Sequence, residues 1–132
     1  MGVSTNNKIH GAAAEMLGAH ELMRLNYGVC LPLSDSERYD LIATKNGKMW
    51  RIQVKATGAL VQGSYKILFQ HGRRTKTNYT KKDADFFACV VYYPTGTGLY
   101  VIPISKPKSG KGNFWEVGKH GFWLDKRPRC DW

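Results

Sequence analysis

Apolar and polar residues alternate most cleanly around Asn46-Gly47, where Leu41 and Ala43 before it and Trp50, Ile52 and Val54 after it recur at every second position. A period of two predicts a β-hairpin. Asn-Gly is its strongest short-range turn signal, because both central residues of a type I′ turn need positive φ. Pairing Lys45 with Lys48 across that turn sets the register and puts Asp40 opposite Gln53. Gln53 and Lys55 then share a face with Asp40, with facing Cβ atoms about 4.5–5.5 Å apart.

Elsewhere the pattern changes. From about Thr5 to Asn26 the chain reads as a helix, with Ser4 or Thr5 as its cap, Ile9, Ala12, Ala13, Met16, Leu17, Leu22 and Met23 as its apolar stripe, and Gly28 as its stop. Val29-Cys30-Leu31 reads as a short strand ended by Pro32. Ser64 to Gln70 reads as another, with Tyr65, Ile67 and Phe69 on one face. His71 to Lys82 is a basic, turn-rich connection, and Asp83 to Phe87 is expected to hold a short helical turn. The near-continuous apolar run from Phe86 to Tyr93 suits a strand buried on both faces. After a turn at Pro94 to Gly98, Leu99 to Ile104 completes a second hairpin, and Pro103 puts its far end at a sheet edge. The order of elements predicts an α/β fold, a mixed β-sheet with the long N-terminal helix packed on one face.

Length and composition fit a single packed domain over 1–132: the chain has 132 residues, 42% apolar and 12% aromatic. The tail from Ser105 onward, rich in Lys, Gly and Trp, has weak periodicity and is left unassigned. Cys30, Cys89 and Cys130 are odd in number and widely spaced, which argues against a disulfide framework or a zinc site; Cys30 and Cys89 are expected as core residues of strands. No apolar stretch approaches a membrane span and the start lacks an apolar signal core, so a cytoplasmic protein is expected, without a membrane partner.

Charge narrows the partners. Twenty Lys and Arg against ten Asp and Glu give a formal charge of +10, which favours a polyanion, nucleic acid first. Arg73, Arg74, Lys76, Lys81 and Lys82 crowd one connection and can follow a phosphate backbone. Lys106, Lys108, Lys111, Lys119, Lys126, Arg127 and Arg129 recur in the tail beside Trp115, Phe122 and Trp123. Base stacking is open to those aromatics, and packing is the simpler role. No histidine shows metal-ligand spacing.

With such a partner, the polar face of the hairpin gains a chemical meaning. Mg²⁺ takes oxygen ligands, one or two of them carboxylates, and completes its shell with water and phosphate. Asp40 offers the carboxylate, Gln53 its side-chain carbonyl and Val54 its backbone carbonyl. Lys55 is placed to orient or help deprotonate a water, or to stabilise charge developing on phosphate. The reaction implied is metal-dependent phosphodiester hydrolysis. The alternative is an ordinary solvated hairpin face.

This arrangement resembles the PD-(D/E)XK nuclease superfamily. Its core is a helix bearing Glu and then a hairpin bearing Asp and (D/E)-x-K; here Glu15, Asp40 and Gln53-Val54-Lys55 occupy those places. Gly11-x-x-x-Glu15, Gly28, Pro32, Arg38-Tyr39-Asp40-Leu41, Tyr79, Asp85 and the Tyr100 to Pro103 strand are similar to a compact branch. That branch includes archaeal-type and phage-borne Holliday junction resolvases and a group I intron homing endonuclease. The resemblance spans about Gly11 to Ile104. It implies a restriction-endonuclease-like core and adds Glu15 to the catalytic set of Asp40, Gln53 and Lys55. Glu15 also joins Asp40, Gln53 and Val54 as a metal ligand, direct or through water, and Arg38 joins the basic loop in holding DNA. Mg²⁺, with Mn²⁺ able to substitute, is the implied cofactor. Double-stranded or branched DNA is the implied partner, a homodimer or larger homo-oligomer the implied assembly, and a prokaryotic or phage-infected cytoplasm the implied setting. Gln53 stands where an acidic residue is commoner, which leaves the site one negative charge short. The expected activity is structure-selective cleavage of branched DNA, because little chain remains for base-reading insertions. A sequence-specific homing or restriction-type endonuclease and a non-catalytic nucleic-acid-binding module are the alternatives.

Overall fold

The turn at Asn46-Gly47 adopts φ of 52° and 78°, the doubly positive pair that a type I′ hairpin requires. This computed structural model describes residues 7–58, 60–61, 64–71, 75, 77–105 and 114–117. Its elements in chain order are α1 (Asn7–Arg24), β1 (Gly28–Cys30), β2 (Leu41–Lys45), β3 (Lys48–Thr57), β4 (Leu60–Val61), β5 (Ser64–Leu68), β6 (Gln70–His71), β7 (Thr77–Asn78), β8 (Phe86–Tyr93), β9 (Gly96–Pro103) and β10 (Phe114–Val117).

The main sheet runs β1-β2-β3-β8-β9. Lys45 pairs with Lys48 and Leu41 with Ile52, the register expected from the turn. β8 and β9 form the second hairpin, with Pro103 at the end of the edge strand. The two hairpins meet through β3 and β8 in parallel, Gln53 beside Phe87 and Lys55 beside Cys89, so the sheet is mixed. β5 lies between β4 and β10 in a second sheet, and β6 pairs with β7 in a third.

Each face of the main sheet carries its own core. On one, Ala14 and Leu22 of α1 pack on Leu41, Ala43, Ile52, Val54, Ala88, Val90 and Leu99. On the other, Tyr65, Ile67 and Phe69 share one face, as expected, and cover Phe87, Cys89, Val91 and Tyr100. Phe87 to Val91 are all buried, as a strand covered on both faces must be. Each fully buried large side chain, such as Leu22, Leu41, Ile52 or Phe87, contributes about 1.5–3 kcal/mol.

Four local expectations are corrected. Of the expected helix stripe Leu22 is buried and Leu17 packs against the core, whereas Ile9, Met16 and Met23 are 65%, 74% and 52% exposed, and Ala14 and Gly18 are buried in their place. The sheet selects small residues that let the helix axis approach; a Cβ on Gly18 would already meet Val54 Cγ2 at 3.7 Å. The helix is closed by Asn26 in the left-handed region, φ 69°, and Tyr27 donates its N–H to the Leu22 carbonyl. Gly28 instead lies in β1, where a Cβ would come within 2.5 Å of Thr44 Oγ1. Asp83 to Phe87 forms no helical turn: a tight turn at Lys81 to Asp83 leads into β8. Cys30 is exposed on the edge strand β1, outside both core clusters, while Cys89 is buried. The cap candidates Ser4 and Thr5 lie outside the described residues, as does most of the tail, where β10 is the described segment.

Candidate active site

β3 outruns β2. Their ladder stops at Leu41 opposite Ile52, so the expected backbone pairing of Asp40 with Gln53 does not form. Asp40 bends away, donates its N–H to the Ile52 carbonyl at 2.8 Å, and uses carboxylate Oδ2 to accept the Val54 N–H at 2.7 Å. The carboxylate thus replaces the next rung of the sheet. It is anchored to the segment that carries Gln53 and Lys55, with its second oxygen still able to accept.

Two further elements bring charge to this point. Glu15 reaches it from α1, and both carboxyls are pushed up. For Glu15 the causes are burial first and the Asp40 charge second. For Asp40 burial dominates and is opposed by the Val54 N–H and the Lys55 ammonium. Two half-buried carboxyls beside one another would favour a bound cation. Gln53 donates Nε2 to its neighbour's Val54 carbonyl at 3.3 Å, so the side-chain amide and that backbone oxygen lie side by side. Among the described residues no group of three His, Cys, Asp or Glu converges. A cation bound here would take its other ligands from neutral oxygens, water or a bound phosphate. That is the ordinary habit of Mg²⁺, and the donor set fits it.

Lys55 projects on the opposite face from Val54, and its ammonium lies 4.7 Å from the centroid of the Tyr79 ring. Tyr79 follows β7 and packs edge-on against Phe87 at 5.4 Å. Burial and the nearby Asp40 and Asp83 charges push its hydroxyl up to about 12, with Arg38 working against them. The structure thus brings Glu15, Asp40, Gln53, Val54 and Lys55 together, with Arg38 within electrostatic reach. In the sequence Tyr79 stands among the residues of the family resemblance, with no role assigned to it.

The other proposed DNA contacts divide. Lys81 and Lys82 are exposed in a turn stapled by Asp83 Oδ2, which accepts the Thr80 N–H at 2.8 Å. Their carbonyls accept from the Arg51 guanidinium at 2.7 and 2.8 Å, so the turn is fixed while both ammonium groups face solvent. Arg51 is itself held by Asp85, which accepts its backbone N–H at 2.8 Å and its side chain at 3.1 and 3.3 Å. Arg73, Arg74 and Lys76 lie outside the described residues. No described helix is long and apolar enough to cross a membrane.

Comparison with known proteins places the chain in a family and a fold. The family described as PD-(D/E)XK endonuclease matches residues 5–114. Protein 5.3 of Escherichia phage T7 is 36% identical over 84 residues, covering 61% of this chain and 70% of that protein. The solved structure of a bacterial homing endonuclease, I-Ssp6803I, matches with a TM-score of 0.70 over 96% of this chain and 84% of that one. At 24% identity that likeness speaks for the fold.

Proposed function

Since the chain belongs to the PD-(D/E)XK endonuclease family, we propose that it is a divalent-metal-dependent DNA endonuclease with Glu15, Asp40, Gln53 and Lys55 at its reacting centre. The observation that supports this best is the Asp40 carboxylate, tied to the Val54 N–H, opposed by Glu15 and facing Lys55. Asp40, Glu15 and the Gln53 and Val54 carbonyls would hold Mg²⁺ or Mn²⁺. When bound, the cation supplies positive charge to the phosphate and acidity to water. Lys55 places an ammonium where negative charge grows as water adds to phosphorus and the P–O bond breaks. Arg38, Lys81 and Lys82, with Arg73, Arg74 and Lys76, hold the flanking backbone through their charge.

For the substrate we favour branched DNA cut by a homodimer or larger assembly, since paired cuts need paired sites and a junction can be read through charge and shape. Sequence-specific cleavage of duplex DNA is the second reading, supported by the fold shared with a homing endonuclease. The test offers the protein, in Mg²⁺ and in Mn²⁺, a four-way junction, a linear duplex of matched arms and a supercoiled plasmid of random sequence. Paired symmetric cuts confined to the junction are expected. Discrete plasmid fragments would establish the second reading. Binding without cleavage, unaltered in Asp40→Ala and Lys55→Ala, would refute the nuclease.

A further inference from the structure

The geometry points to Tyr79 as the residue that positions Lys55, its ring face holding the ammonium beside Asp40. This deepens the nuclease reading and rests on it. A lysine has four rotatable side-chain bonds, and confining its ammonium takes a partner that does not neutralise it. The nearby Asp40 carboxylate attracts the ammonium, and a second acidic partner would consume the charge that the phosphate needs. An aromatic face attracts the cation through its quadrupole and leaves that charge available to a stronger anion. The ring in turn has little freedom of its own. It follows β7 directly, is half-buried, and packs perpendicular to Phe87, at an interplanar angle of 89°. Phe87 pairs with Gln53 in the parallel ladder, and the next residue but one on that strand, Cys89, pairs with Lys55. Ring and lysine are therefore referenced to the same two strands. The hydroxyl remains protonated through the neutral range, so the ring presents a neutral face.

The experiment compares the full chain with Tyr79→Phe and Tyr79→Leu, using Mn²⁺ and whichever of the three DNAs the parent cleaves, the four-way junction being expected, and reading kcat and KM separately. Tyr79→Phe keeps the ring and is expected within about threefold of the parent. Tyr79→Leu is expected to lower kcat by about 10- to 100-fold, the scale of a catalytic group displaced by about 1 Å, with KM changed less than about twofold. A second readout is independent of cleavage. The Lys55 Cε protons, assigned through loss of their signal in Lys55→Arg, should be shifted upfield by the ring in the parent and in Tyr79→Phe. In Tyr79→Leu they should return to the lysine average. The proposal is overturned if Tyr79→Leu leaves that shift or kcat unchanged, if Tyr79→Phe loses cleavage as fully as Tyr79→Leu, or if the whole loss falls on KM. A parent that cleaves no DNA yet shows the ring shift would refute the nuclease reading while upholding the contact.

Discussion

Two aspartates flank β3, and the molecule treats them oppositely. Asp85, on the β8 side, accepts the backbone N–H and the guanidinium of Arg51, and although burial works against ionisation these bonds hold its carboxyl below the usual range. Asp40, on the β2 side, accepts one backbone N–H, and burial pushes its carboxyl up. Both close an end of a strand ladder with a carboxylate. The Arg51–Asp85 pair spends its charge internally, whereas Asp40 beside Glu15 keeps charge that folding alone gives no reason to concentrate there. The difference separates a carboxylate that supports the fold from one kept for a ligand.

The strongest way to break this contrast is Asp40→Asn, whose amide oxygen can still accept the Val54 N–H. Junction cleavage in Mg²⁺ should fall by about 100-fold or more. Thermal stability at neutral pH should stay level or rise by about 0.5–2 kcal/mol, because the repulsion with Glu15 is removed. A cleaving or strongly destabilised variant would place Asp40 with the structural group. Asp85→Ala should do the reverse, lowering stability by about 1–2 kcal/mol for its lost hydrogen bonds, discounted because the pair is partly exposed. That penalty should be full above the ordinary carboxyl value of 3.8 and vanish as pH falls through the depressed native value, a trend that denaturation measured across pH would reveal. The smallest effect is expected from Gln53→Glu. A third carboxylate should lower the metal concentration for half-maximal cleavage several-fold and cost stability in the metal-free protein. A higher half-maximal concentration would argue that Gln53 faces no metal.

How legible this was depends on the distance over which each feature is encoded. The hairpin register was readable because Asn46-Gly47 admits few backbone solutions, and the β8 strand because covering both faces demands an unbroken apolar run. The helix stripe is legible only in part, at Leu17 and Leu22, because closeness to the sheet matters beside hydrophobicity: Ala14 and Gly18 pack, and the larger Ile9 and Met16 face water. Asp40, Gln53 and Lys55 could be grouped from the hairpin. Glu15 came from resemblance, since a single helix glutamate carries no local mark. The contact of Tyr79 with Lys55 and the bond of Asp85 to Arg51 depend on β3 meeting β8, a pairing that neither segment announces by itself.

That parallel pairing also bears on how the molecule assembles. β2-β3 and β8-β9 are each closed by short turns and can form from local contacts, but joining them must first close the chain from Gly58 to Asp85, at an entropic cost that local hairpins avoid. Asp40, Gln53 and Lys55 travel together on the early hairpin, while Tyr79 and the Lys81-Lys82 turn lie within the closing segment. A chain in which that pairing has not closed would carry the acid and the lysine without the groups that hold lysine and polymer in place, so competence would require the whole sheet.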